Sequence, residues 1–372
     1  MRTRPQVAIA HDYLTQRGGA ERVVLAMVKA FPDAPIYTTL YDHDETYSDF
    51  AACDVRTSWL NRIGLFRRSH RLALPLLPFA ASSMRVDADV VLVSSSGWAH
   101  GFRTKGRKVV YCYSPPRWLY QTAQYLGDHP SRLSSTALSV MSPFLRRWDR
   151  WAARSVDEYI SISAVAQTRI LAAYGLDSRV VPAPRPDTGV HEPTPMDEVV
   201  AWLGGRSFEL CVSRLLPYKN VDVVVDAYTH EPERRLIVVG RGPEKSSLMA
   251  RATPNVLFLE NIAEGELAWL YELTTALVTV SYEDFGLTPL EAASFGKPSI
   301  VLRWGGFIET MVEGVTAVFV ESPHAEDIRA ALGQVDAHEW DAEMIREHAD
   351  RYSEGVFIEA IRDIVKAHQN AR

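Results

Sequence analysis

The sequence predicts an α/β protein made of two doubly wound, Rossmann-like domains. Short continuous apolar runs alternate with amphipathic helical stretches along the whole chain, as parallel strands buried on both faces require. Near the middle, Pro182–Pro195 holds five prolines in fourteen residues, which no α/β unit can contain. The chain's 372 residues also exceed the ~250 that one core ordinarily organises. Two such domains are expected to face each other across a cleft at the carboxyl ends of their strands, the edge where open α/β sheets take ligands.

In the first half the expected strands are Gln6–His11, Ile36–Leu40, Val90–Ser94, Lys108–Tyr113 and Glu158–Ser161, with helices at Ala20–Phe31 and around Leu145–Ser155. In the second half they are Phe208–Ser213, Arg235–Gly240, Val256–Leu259, Ala276–Val280, Ser299–Leu302 and Ala317–Val320. Helical patterns such as Val221–Tyr228 and Pro289–Phe295 lie between them. The organisation expected is one domain over 1–185, a Pro-rich linker over 186–196 and a second domain over 197–352. A helix over 353–372 is expected to return to the first domain.

Composition narrows the class. Hydrophobic residues at 47% and charged residues at 23% are globular values without a disordered tract. Cys53, Cys112 and Cys211 are too few and too scattered for a disulfide framework or a metal site, which fits a reducing compartment. The opening residues run directly into Val7–Ala10, too short for a signal peptide, and Leu72–Ala81 is too short and proline-broken to span a bilayer. A cytoplasmic protein is expected, with peripheral contact at the inner face of the membrane as its one route to lipid.

The net charge of −6 conceals an asymmetry. Residues 1–190 carry 24 Lys/Arg against 16 Asp/Glu, which leaves 16 and 30 for the remainder. A basic half suits an anionic ligand or headgroups; the acidic half argues against nucleic acid. Residues 56–85 concentrate the basic character in Arg56, Arg62, Arg67, Arg68, Arg71 and Arg85, with no acidic residue. Trp59, Leu60, Ile63, Leu65, Phe66 and Leu72 are interleaved. Such a stretch either lies on anionic headgroups or is a core-facing helix with a solvated basic side.

The most informative segment is Ser281-Tyr-Glu-Asp-Phe-Gly-Leu-Thr-Pro-Leu-Glu-Ala292, between a strand and a helix. Thr288, Pro289 and Glu291 read as a capping box, so Glu291 has a purely structural reading. That reading leaves Glu283 and Asp284 unexplained beside the Phe285-Gly286 turn. Amides at a helix start hold a diphosphate, and two carboxylates eight residues apart can grip sugar and ribose hydroxyls. In Ser213–Asn220, Arg214 and Lys219 either neutralise a departing diphosphate or are ordinary loop charges. Gly240-Arg-Gly-Pro-Glu244 is a weak glycine turn. His11–Glu21 places Gly18 and Gly19 before a helix without a full dinucleotide fingerprint. Asp42-His-Asp44 and Asp87-Ala-Asp89 read as solvated turns, and neither a metal site nor a cofactor is expected.

Together these segments resemble the retaining GT-B glycosyltransferases, the large family that includes bacterial mannosyltransferases. Glu283 and Glu291 form its E-x7-E signature, and Arg214 with Lys219, Gly240-Arg-Gly-Pro-Glu and Gly305-Gly-Phe-Ile-Glu-Thr fall in the family order. The resemblance implies that Gly18, Gly19 and Gly240 approach the donor and that Arg214 and Lys219 bind its diphosphate. Glu283, Asp284 and the amides of Phe285, Gly286 and Leu287 would hold the transferred sugar, Glu291 the ribose, and Ile262 and Glu264 the base. His11, Asp12, Tyr13, Arg117 and the Ser94–Gly101 loop would line the acceptor side.

One departure stands out. A histidine is usual after the strand Lys108–Cys112, and this chain has Tyr113 there. Either Tyr113 or His100 then replaces it, unless Tyr113 is simply a packed core residue. The implied reaction is metal-free transfer with retention, Glu283, Arg214, Lys219 and His100 serving as catalytic groups. GDP-mannose is the favoured donor, a UDP-sugar the alternative, and a glycan, lipid-linked glycan or small molecule the acceptor. A catalytically silent sugar-nucleotide-binding scaffold is the reading from another class.

Overall fold

The structure, a computed structural model, describes residues 6–68, 70–121, 132–186 and 192–370, the side chains of 70, 71 and 132–140 excepted. The chain divides into two compact units, Met1–Pro184 with Glu354–Arg372, and Arg185–Ser353.

The first unit is a seven-stranded sheet in the order β3-β2-β1-β5-β7-β8-β9, parallel throughout. Its strands are β1 (Val7–His11), β2 (Ile36–Thr38), β3 (Val55–Thr57), β5 (Val90–Ser95), β7 (Arg107–Cys112), β8 (Glu158–Ser161) and β9 (Ser178–Val180). Arg85–Val86 and Arg103–Thr104, β4 and β6, pair separately. Every residue of β1 and β5 is buried, the pattern of strands covered on both faces. The expected edges miss β3 and β9 for a physical reason: both are three residues long and largely exposed, so they carry no apolar run. The helix expected around Leu145–Ser155 is the last part of a longer one, Arg132–Ala153.

The carboxy-terminal helix Glu354–Asn370 belongs to this unit. Phe357 packs edge-on against Tyr111, Arg362 donates to Ala30 O, and His368 meets Glu158 at 2.7 Å. Its buried Phe357, Ile361, Ile364 and Val365 follow the helical repeat that makes one face apolar.

The second unit is a six-stranded parallel sheet in the order β12-β11-β10-β13-β14-β15. These are Val256–Leu259, Leu236–Val239, Glu209–Val212, Leu277–Thr279, Ser299–Leu302 and Ala317–Val320. Phe208, Leu210, Ile237, Leu277, Leu270 and Ala292 share its core. Both sheets reverse their strand order once, at β1/β5 and at β10/β13, and such a reversal opens a crevice at the carboxyl edge. Residues 187–191 of the expected linker lie outside the described residues. On either side, Arg185 N donates to Tyr352 O at 2.7 Å and Thr194 N to Gly265 O at 3.0 Å.

Candidate functional site

The donor-side residues expected from the sequence follow four adjacent strands of the second unit: Ile262 and Glu264 after β12, Gly240 after β11, Arg214 and Lys219 after β10, Glu283 to Glu291 after β13. Neighbouring strands stand ~4.8 Å apart, so the residues form one row along the carboxyl edge.

At the switch point the loops after β10 and β13 are knitted together. Tyr282 N donates to Tyr218 O at 3.2 Å, and Asn220 Nδ2 donates to Val280 O at 2.8 Å. Asn220 has φ +52, in the left-handed region that asparagine tolerates best among residues with a side chain, which turns the chain into the helix Val221–Thr229. That turn brings Lys219 Nζ against Glu283 Oε1 as a largely shielded ion pair. Arg214 stays exposed, its Nη2 donating to the Tyr218 hydroxyl at 3.1 Å.

Two glycines set the position of Glu283 from behind. Gly306 N donates to Glu283 O at 2.9 Å. A Cβ on Gly305, whose φ is +59, would stand 2.3 Å from Glu283 O, and one on Gly306 would stand 2.2 Å from Phe285 Cα. The turn therefore rests backbone on backbone. Gly240 has the same explanation: its Cβ would lie 1.8 Å from Ser213 O, so close packing of the β10 and β11 loops already requires glycine there.

The capping box is a correction. The helix starts at Leu287 with Gly286 as its cap, φ +86, and no side chain caps it. Thr288 is thus inside the first turn, and Glu291 does not reach back to the helix start. It accepts instead from the Tyr271 hydroxyl at 2.7 Å. The first amides of that helix have no intrahelical acceptor by construction, which leaves them pointing at the crevice. Asp284 is buried and Phe285 packs edge-on against Tyr352. Ile262 is part of the core margin, while Glu264 opens the helix Glu264–Leu273 and is exposed. Tyr271, Tyr218 and Asn220 were missed as site residues, and no local pattern marks the first of them.

In the first unit the expected acceptor-side residues follow β1, β5 and β7, which are neighbours. Asp12, 1% exposed, accepts from Trp98 N and Ala99 N at 2.7 Å each, Ser96 N at 2.6 Å and Ser95 Oγ at 3.0 Å. It is the frame on which the Ser94–Gly101 loop is built. Tyr13 is half-buried beside the core, and Arg117 opens the short helix Arg117–Tyr120. Tyr113 is half-buried, and its hydroxyl contacts Ser94 Oγ at 2.9 Å and Ala20 O at 3.1 Å. Burial holds the phenol well above its ordinary range despite the Ser94 contact, so it stays protonated.

His100 is the second correction. It is 3% exposed, packed between the rings of Trp148 and Tyr174, with Nε2 3.1 Å from Asp149 Oδ1, itself fully buried. An imidazole buried in this way is not placed to touch a ligand, and its Nε2 makes no hydrogen bond among the described residues; Tyr113, half-buried, follows β7 at the sheet's carboxyl edge. Among the described residues there is no group of three or more side chains suited to a metal ion, and no helix is long and apolar enough to cross a membrane.

Comparison with known proteins assigns both halves. Residues 17–186 match Glycosyltransferase Family 4 and residues 197–352 match Glycosyl transferases group 1. The chain is 29% identical over 226 residues to the D-rhamnosyltransferase WbpZ of Pseudomonas aeruginosa, covering 57% of this chain and 56% of that protein. It is 27% identical to a GDP-mannose-dependent alpha-(1-6)-phosphatidylinositol monomannoside mannosyltransferase of Mycolicibacterium smegmatis, covering 52% and 57%. The matches thus span about half the length of these curated relatives. Anabaena HepE, solved with UDP-glucose, aligns over 97% of this chain and 99% of its own with a TM-score of 0.72 at 18% identity, a likeness of fold. With both halves matched in order on two Rossmann-like sheets, the chain belongs to the family 4 glycosyltransferases of GT-B fold.

Proposed function

We propose that the protein moves a hexose from a nucleoside diphosphate sugar to an acceptor hydroxyl, with retention of configuration and without a metal ion. The observation that carries this reading is the meeting of Lys219, Glu283 and the open amides of Gly286–Thr288 at the β10/β13 switch point. Breaking the anomeric C–O bond builds positive charge on the sugar and negative charge on the leaving diphosphate. Lys219, Arg214 and the helix start address the second charge and Glu283 the first; each such preorganised group typically contributes ~3–4 kcal/mol. A donor diphosphate competes for the Lys219 ammonium, which frees the Glu283 carboxylate for the sugar. A phosphate oxygen of the departing group takes the acceptor's proton. Glu291, steadied by Tyr271, holds the ribose.

GDP-mannose is the donor this reading favours, in line with the mycobacterial relative; the UDP-glucose bound to HepE supports a UDP-sugar as the second reading. The acceptor is a glycan presented at the cytoplasmic face of an anionic membrane. Between residues 59 and 83 the basic stretch is not one helix. It breaks into Trp59–Arg62, Gly64–Arg68, His70–Ala73 and Leu77–Ser83. Trp59, Ile63, Leu65, Leu72 and Phe79 are exposed along it, and Phe79 stacks on the equally exposed Phe144. Leu60 is instead buried, and the Arg71 side chain lies outside the described ones. Apolar side chains among arginines suit an interface of headgroups and acyl chains.

Thermal unfolding with GDP-, UDP-, ADP- and dTDP-sugars, with and without EDTA, tests the donor. A ligand at 100 times its dissociation constant adds ~2.7 kcal/mol. An EDTA-insensitive shift with GDP-mannose alone is expected; no shift with any donor would move the silent scaffold ahead. Co-sedimentation with anionic liposomes tests the surface, and absence of binding at low salt would remove it.

A further inference from the structure

Beneath the Gly18–Gly19 turn, side chains from four separated segments of the first unit meet, and the transfer chemistry above uses none of their protons. The direction of their hydrogen bonds can be worked out. Tyr113 O–H lies 3.1 Å from Ala20 O, and a carbonyl only accepts, so the phenol's proton is committed there. The phenol oxygen therefore accepts from Ser94 Oγ, 2.9 Å away. Ser94 Oγ has then spent its own proton, and its contact with His11 Nδ1 at 3.0 Å requires Nδ1–H as donor. Ser94 O, 3.2 Å from the same nitrogen, requires the same.

With Nδ1 protonated, the state of Nε2 is what remains. It lies 3.7 Å from Glu21 Oε1, in surroundings where His11 is 3% and Glu21 1% exposed. A bare Nε2 facing an ionised carboxylate would set two lone pairs against each other in a buried site, and burial of an uncompensated charge is costly. Gln16 Nε2 donates to Glu21 Oε1 at 3.0 Å, which fixes the carboxylate in place beside the imidazole. Glu21 Oε2 has no partner among the described residues, and a Cβ on Gly18 would stand 2.6 Å from it. Gly18 sits at φ −135, where any residue is comfortable, so its lack of a side chain serves the room that Glu21 needs.

We propose that His11, protonated on both ring nitrogens, and Glu21 form a buried ion pair that holds the Gly18–Gly19 turn in place, making them positioning residues whose loss of charge at high pH lowers turnover. The proposal rests on the transferase reading for its effect on turnover, though not for the pair itself. The charged and titratable groups facing His11 are Glu21 from the helix Gly19–Ala30, Asp12 from the end of its own strand and, through Ser94, Tyr113 from the end of β7. Burial lowers the affinity of His11 for its proton, but the nearby carboxylate of Glu21, with the charge of Asp12 and the Ser94 carbonyl, outweighs it and leaves His11 above its ordinary value. The sign follows: the pair's contribution is complete below the unfolded value of ~6.5 and is lost as pH rises through the higher folded value.

Two measurements on the full chain test this. In protein labelled with 13C-histidine, the His11 signal, assigned by its loss in His11→Gln, should titrate above the ordinary histidine value. Titration at or below that value overturns the pair, whatever the enzyme does. Second, the pH profile of kcat/KM in wild type should fall on the alkaline side. Glu21→Gln keeps the shape and removes the charge, so its alkaline fall should begin at least one pH unit lower, roughly a tenfold loss at the wild-type midpoint. An unmoved limb in folded Glu21→Gln overturns the positioning role. If that variant does not fold, Gly18→Ala, which crowds the same carboxylate, must shift the limb in the same direction or the role fails. A raised His11 titration in a protein that transfers no sugar would refute the transferase reading and leave the pair standing.

Discussion

The two units share a topology and solve the same problem with opposite materials. At the β10/β13 switch of the second unit, Glu283 is held by backbone pressed on backbone, with Gly305 and Gly306 as the contact surface. At the β1/β5 switch of the first unit, the loop after β5 is held by the Asp12 carboxylate, on which its amides converge. The first arrangement sets its charges against each other near the rim, as the Lys219–Glu283 pair. The second uses up its charge internally and offers the ligand a shaped loop. On the proposed function, the carboxyl edge of the second sheet binds and stabilises charge, and that of the first orients.

If that division holds, the largest effect on the reaction belongs to Glu283. Glu283→Gln should lower kcat by on the order of 10²–10³, the ~3–4 kcal/mol of one preorganised group. Its melting temperature should stay close to wild type, because glutamine keeps the shape and the frame of the residue is backbone. A fall of less than tenfold in steady-state assays would mean that the second unit's charge is not what stabilises the transition state.

Next come the two frames themselves. Asp12→Asn keeps one oxygen for Trp98 N and Ala99 N but sets its amide NH2 against Ser96 N and removes the charge, and hydrogen bonds to charged groups carry ~1.5–3 kcal/mol each. We expect a loss of roughly 3 kcal/mol in stability by thermal denaturation and a raised acceptor KM, with donor affinity by calorimetry changed less than twofold. Gly306→Ala should do the reverse, weakening donor binding at least tenfold while acceptor KM is kept. Equal effects of both variants on both ligands would erase the distinction.

Much of this was legible in the sequence, and what was not has a common cause. All six strands of the second sheet and five of the first stand out because their residues are apolar on both faces. Glu283 stands out because the capping box leaves it unexplained, whereas Glu291, Arg214 and Lys219 each have a structural reading too and are singled out by the family resemblance. His100 was misread: the sequence shows a histidine in a glycine- and serine-rich loop but not Asp149, 49 positions on, which claims it in the interior. The capping box was misread because Gly286, with its positive φ, starts the helix before Thr288 can cap it. Tyr271 and Glu21 each depend on a partner from another segment, a kind of contact that neither periodicity nor spacing encodes.

A smaller effect separates ribose binding from sugar binding within the second unit. Tyr271→Phe removes the hydroxyl that donates to Glu291 and leaves Lys219–Glu283 untouched. One hydrogen bond contributes ~0.5–1.5 kcal/mol, so donor affinity should fall about two- to tenfold. kcat at saturating donor should not change. A fall in kcat would place Tyr271 in the chemistry.

The smallest effect returns to the first unit and concerns pH. Lys108 is buried beneath the Ser94–Gly101 loop, its Nζ donating to His100 O at 2.9 Å and Ser155 Oγ at 2.8 Å. Burial lowers its value to about 8 against the opposing pull of Asp157. Above that value the folded chain sheds the proton while the unfolded chain, near 10.4, keeps it. Stability from this group therefore rises with pH, because the unfolded state binds more protons. The window closes near pH 10, where exposed phenols of the unfolded chain ionise and tyrosines such as the buried Tyr111 hold theirs, which reverses the slope. Denaturant unfolding at pH 7.5 and 9 should show Lys108→Met losing ground to wild type as pH rises. A constant difference between them would mean that Lys108 keeps its charge inside the fold, and that the first unit tolerates an unpaired cation where its other buried charges, Asp12 and Glu21, are each met by a partner.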